Sequence, residues 1–231
     1  MTDEQTLTRN GRRLAYALVG GTLIYNVFEG VIAIGSGVAA SSIILVTFGI
    51  DSYLEVIAAG AVLWRLAAPD DEIGEQREER ALRIVGWSFM LLAAAVVLQA
   101  LLALGGTSGA ETSRVGLTLL LVSLLVMPVV SIAKLWAAAR WTIPSLAAEA
   151  RETIACSYLS LTALVGVVGT ALIGWWWLDP AFALLMVPWL IKEGLEGIRG
   201  DACFDGAVLC FCRECWFGSR DCPASCCAVA A

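Results

Sequence analysis

Six long apolar stretches separated by short polar ones organise this chain, at residues 14–38, 41–66, 81–105, 115–137, 145–177 and 180–198. Each has about the 20 residues that a helix needs to cross a hydrocarbon layer about 30 Å thick. Backbone groups in lipid must be paired within their own segment or in a closed barrel. The period-2 alternation of a barrel strand is absent, so the pattern predicts helices. The predicted fold is all-α: a polytopic membrane protein built as a six-transmembrane-helix bundle over 14–198. A polar segment over 1–13 precedes it and a Cys-rich tail over 199–231 follows it. The links at 39–40 and 178–179 are so short that helices 1 and 2, and helices 5 and 6, should be antiparallel neighbours.

The basic residues give this bundle an orientation. With a cytoplasmic N-terminus, Arg9, Arg12, Arg13, Arg65, Arg77, Arg80, Arg83, Lys134, Arg140, Arg151, Lys192, Arg199, Arg213 and Arg220 all fall on the inside, leaving Arg114 outside. That bias predicts both termini in the cytoplasm of a bacterial-type plasma membrane. Trp175, Trp176 and Trp177 then form an aromatic anchor at the outer interface. Composition agrees with a membrane protein: 59% of residues are hydrophobic, 16% are charged, and the mean hydropathy is +0.79. A net charge of −6 with no basic stripe argues against nucleic acid as a partner. The acidic run over 69–80 reads as a solvated linker, or as a means of concentrating cations at the entrance.

Against this background the ionisable residues inside the spans stand out, since Asp at a helix centre costs roughly 2.5–3.5 kcal/mol on insertion scales and usually marks an ion or proton path. Asp51 and Glu55 are four apart and share one helix face, as do Glu152 and Cys156. Together they offer three carboxylates and one thiol, a donor set suited to a four-coordinate divalent transition metal. Asn26, Glu29 and Glu149 form a secondary set for hydrogen bonding or proton transfer. Each residue also has a structural alternative. Asp51 and Glu55 could clamp helices through Asn26 or Ser residues, Glu152 could sit at a helix start favoured by the macrodipole, Cys156 could be a small buried hydrophobe, and Glu29 could be a packing contact.

Several of these residues lie in recognisable motifs. Gly35-Ser36, Ser42-Ile43-Ile44-Leu45 and the Asp51-to-Glu55 pair resemble the second-helix region of the cation diffusion facilitators, which carries DxxxD or HxxxD. Ala148-Glu149-Ala150-Arg151-Glu152 through Cys156 is similar to that family's fifth-helix motif A-D-A-x-H-x-x-x-D, with Glu152 in the place of the His and Cys156 in the place of the second Asp. Trp177-Leu178-Asp179-Pro180 resembles the link into helix six. The resemblance spans roughly 14–198. It implies a cation efflux transporter in which Asp51, Glu55, Glu152 and Cys156 hold the metal. Family members usually continue into a cytoplasmic metal-binding domain and often carry a His-rich loop. This chain has no histidine, and it reads as a minimal membrane body.

Of the eight cysteines, all but Cys156 lie in the tail: Cys203, Cys210, Cys212, Cys215, Cys222, Cys226 and Cys227. In a reducing cytosol such a cluster is expected to bind a soft metal, with lipid tethering or a redox-labile end as alternatives. The sequence therefore predicts a divalent-metal efflux transporter, with zinc the leading cargo, cadmium next and protons as the coupling ion. No nucleophile–base pair or cofactor motif suggests an enzyme. The competing class is a non-transporting membrane metal sensor or buffer working through the Cys tail. Expected partners are the metal cation and the lipid bilayer, and the small-residue face at Gly30, Ile34 and Gly37 would suit a homodimer.

Overall fold

The computed structural model describes residues 9–39, 43–69, 71–105, 114–141, 143–175 and 177–200. The seven tail cysteines lie outside the described residues, as does most of the N-terminal segment. Six helices follow one another: α1 Arg9–Ala39, α2 Ile43–Leu66, α3 Glu72–Leu104, α4 Arg114–Trp141, α5 Pro144–Ile173 and α6 Leu178–Arg199. No strand occurs among the described residues. By length and apolar composition, the helical stretches Gly11–Ala39, Leu45–Leu66, Glu72–Leu104 and Arg114–Trp141 are able to cross a membrane.

Local chemistry sets the helix boundaries, and in three places it corrects the sequence reading. The acidic run is helical from Glu72, because the Asp71 carboxylate caps α3 by accepting from the N–H groups of Ile73 and Gly74 at 2.9 and 3.2 Å. Glu72 and Glu75 in its first turn further favour that start. The apolar stretch expected to run to residue 177 stops being helical at Ile173, where Gly174 takes φ +75°, a left-handed conformation that glycine adopts without penalty. Trp175 and Trp177 therefore lie beyond α5, exposed and stacked with their ring centroids 5.8 Å apart. At the other end of the chain, α1 begins at Arg9, before the apolar stretch does.

The helices run alternately up and down. Three antiparallel pairs, α1 with α2, α3 with α6 and α4 with α5, make the closest contacts. Glycine permits two of them. A Cβ on Gly49 would meet the Ile34 backbone nitrogen at 2.9 Å, and one on Gly86 would meet the Ile198 nitrogen at 2.6 Å and the Gly194 oxygen at 2.8 Å. At such distances the two backbones touch, as small residues allow between membrane helices. The third pair is joined by polar groups, with the Ser131 hydroxyl donating to the Ala150 carbonyl at 2.7 Å.

Polarity is distributed inside out. Leu172 (80% exposed), Leu125 (71%) and Leu185 (70%) point outward, whereas Asn26, Asp51, Glu55, Lys134 and Glu152 are buried. An aqueous protein would reverse that arrangement, because exposing leucine and burying acids both cost free energy in water. In a bilayer the outer surface meets lipid and the interior is where polar groups find partners.

Candidate functional site

Asp51 and Glu55 leave the same face of α2, one turn apart, and that face meets α5. One oxygen from each acid and the Cys156 sulfur lie within 4.8 Å of one another, and all three residues are buried. By sequence position Asp51 lies near the middle of its span and Cys156 nearer the inner third of its own. The fold nevertheless sets them side by side, because antiparallel helices slide along one another until polar groups meet. α5 is held at that level by α4, through Ser131 and through the approach of the Ser123 hydroxyl to the Cys156 sulfur at 4.0 Å.

Glu152 stands one turn before Cys156 on α5, wholly buried but outside the three-residue cluster. Neither of its carboxylate oxygens has a hydrogen-bond partner. The same is true of both Asp51 oxygens and of Glu55 Oε1. A buried carboxylate without a partner is costly, so the site has unmet demand for a donor or a cation.

The secondary residues separate into two groups. Asn26 and Glu29 on α1 face α2. The Asn26 amide donates to Glu55 Oε2 at 2.5 Å, and Glu29 accepts from the Ser52 and Tyr25 hydroxyls at 3.1 and 2.9 Å. Asn26 thus fixes one oxygen of Glu55, and the other, Oε1, has no hydrogen-bond partner. Glu149, on the far side of Glu152, pairs with the Lys134 ammonium at 2.5 Å, and Lys134 also donates to the Thr153 hydroxyl at 3.4 Å.

Lys134 corrects the sequence reading. Counted there among the cytoplasmic bases, it is 0% exposed and sits inside the bundle. The stretch over 115–137 hid it, since a lysine near the end of an apolar run reads equally well as an interfacial residue with its ammonium in the headgroups. The sequence reading expects serines near the acids without locating them, and Ser52, Ser123 and Thr153 are among the hydroxyls found there. Their one signal in the sequence is that Ser52 and Thr153 each adjoin an acid already singled out. Within this region, among the described residues, five acids, Glu29, Asp51, Glu55, Glu149 and Glu152, are buried alongside one buried base, Lys134. Such an imbalance suits a cation.

The comparisons place this geometry in a known context. The family described as "Cation efflux transmembrane domain" matches residues 74–200, which is more than half of the chain and takes in α3 to α6 with Lys134, Glu149, Glu152 and Cys156. Asp51 and Glu55 on α2 lie outside the matched stretch, and what ties them to it is their position beside Cys156. No curated protein matches the chain. An all-helical bundle with apolar outer faces, acids buried at its centre and this match together show that the chain belongs to the cation efflux family of membrane transporters.

Proposed function

We propose that the protein exports a divalent transition metal, zinc foremost and cadmium next, in exchange for protons, and that Asp51, Glu55, Glu152 and Cys156 hold the ion. The observation that carries this reading is the approach of two carboxylate oxygens and a thiol sulfur to within 4.8 Å of one another in the buried middle of the bundle. In a tetrahedral zinc site, bonds of about 2.0–2.3 Å put donor atoms about 3.3–3.8 Å apart, so the three need close by only about 1 Å. Glu152 is the fourth ligand in this reading, since it stands one turn from Cys156 and neither of its buried oxygens has a hydrogen-bond partner. A thiol among oxygens favours zinc and cadmium over magnesium and calcium.

Proton exchange follows from the ligands themselves. Carboxylates and a thiol bind metal only when deprotonated, so protons arriving from the far side release the ion and the metal displaces them in turn. With the termini in the cytoplasm, as the distribution of bases suggests, metal leaves the cell while protons enter.

The test is zinc flux into proteoliposomes with an acidic lumen, comparing wild type with Asp51→Asn. Wild type should accumulate zinc. Asp51→Asn, which removes a charge at nearly constant volume, should remain folded and lose flux at least about a hundredfold, given the several kcal/mol that a charged ligand contributes to cation binding. Zinc binding without flux by wild type would favour a membrane metal sensor or buffer. Full flux from the variant would make Asp51 a structural clamp.

A further inference from the structure

Among the described residues, one cavity lies toward each end of the bundle, and one of the two touches the proposed metal site at Asp51. The first lies where α1, α3 and α5 finish and α2, α4 and α6 begin. Asp51 is in its wall, together with Thr47, Gln99 and Thr162. The second lies at the end that holds the first residues of α1 and the last of α6, between α3, α5 and α6, with Arg151, Glu193 and Glu196 in its wall. Neither Asp51, Glu55, Glu152 nor Cys156 borders the second cavity.

At the end of the bundle that holds the second cavity, the helices are tied together. Arg151 pairs with Glu193 at 2.9 Å, Lys134 with Glu149 at 2.5 Å and Arg65 with Glu78 at 2.6 Å, while the Gly86 backbone packs directly on α6.

From the lining of the first cavity, which joins Asp51 to neutral oxygens, we propose that the cavity bordered by Thr47, Gln99 and Thr162 is one leg of the cation path, a weak station where a partly hydrated dication rests between Asp51 and the membrane surface. The inference rests on the transport reading above and adds residues to it. Gln99 is a half-buried amide in an otherwise apolar part of α3, from Leu92 to Leu104, where hydrophobic packing alone would call for another aliphatic residue. Its carbonyl oxygen can replace a water of hydration. The Thr162 hydroxyl donates to the Leu159 carbonyl at 2.9 Å, which leaves its lone pairs available to the cavity. Neutral oxygens suit such a station, because a conducting path must bind an ion well enough to admit it and weakly enough to release it. A carboxylate in the same place would trap the ion.

The experiment separates flux from binding in reconstituted full-length protein. Gln99→Leu should lower zinc flux by about tenfold or more while the zinc Kd, measured by titration calorimetry in detergent, stays within about threefold of wild type, because the four ligands are untouched. Thr162→Val, nearly isosteric, should lower flux by about threefold and decides the matter if Gln99→Leu does not fold. Gln99→Cys should react with a membrane-impermeant maleimide supplied on the side where α3 ends, with the labelled peptide identified by mass spectrometry, and zinc should slow that reaction. Wild-type flux in Gln99→Leu and Thr162→Val would overturn the path and leave the metal site standing. Parallel losses of flux and affinity would also overturn it, by making these residues supports of the site. Absence of zinc flux in wild type would instead remove the transport reading itself.

Discussion

Lys134 and Glu149 form a full ion pair in the interior of the bundle, with exposures of 0% and 1%. Such a pair tolerates joint replacement far better than the loss of one member, since a single substitution leaves an uncompensated buried charge costing about 3–5 kcal/mol. Lys134→Met should therefore lower the unfolding temperature in detergent sharply, and adding Glu149→Gln should recover most of the loss. Equal instability of the single and double variants would show that the two residues do not act as a pair. Asn26 makes a different kind of contribution. Its amide holds one Glu55 oxygen at 2.5 Å, so Asn26→Leu should weaken zinc affinity by about tenfold, the order expected when a group orienting a metal ligand is lost. Unchanged affinity would mean that Glu55 is positioned by its own helix alone.

At the scale of the helices, glycine determines which faces can meet. Gly86 on α3 sits against the backbone of α6, where no side chain can give way. Gly86→Ala should cost about 1–3 kcal/mol through overpacking and reduce flux together with thermal stability. Gly20 on α1 is the matched control, because a Cβ there meets nothing within 4 Å. Gly20→Ala should leave flux unchanged and raise stability by about 0.5–1 kcal/mol, the usual helical preference for alanine. If the two substitutions behave alike in a thermal melt, close packing of α3 on α6 is not what holds that pair. The same contrast runs through α1, where Gly30 and Gly37, read from the sequence as a face for a second copy, pack against Tyr53 and Val46 of α2 in the same chain.

For the whole molecule, the proposed ligands and the α3–α6 interface all precede Gly200, so the transport machinery and the tail cysteines are separable by truncation. A protein ending after Gly200 should retain measurable zinc flux and bind fewer metal ions at equilibrium, because thiolates concentrate soft ions whereas crossing the bilayer needs a site that changes its exposure. Flux assays combined with metal analysis of the purified protein would check both halves. Complete loss of flux from a correctly inserted truncated protein would assign the tail to the transport site.

Six helices, their order and their membrane setting were legible in the sequence, because each is enforced locally: a bilayer demands about 20 apolar residues per span and pairs the backbone within the helix. The spacing of Asp51 to Glu55 and of Glu152 to Cys156 likewise fixed which residues share a face. Local spacing could not fix how far α5 slides along α2, which puts Cys156 rather than Glu152 in the cluster with Asp51 and Glu55. Nor could it show that Lys134 turns inward to Glu149, that Asn26 reaches Glu55, or that Gln99 borders the cavity touching Asp51. Those facts depend on the rotation and offset of one helix against another. They are set jointly by glycine contacts and buried polar pairs on different helices, and no single stretch of sequence contains both sides of such a contact.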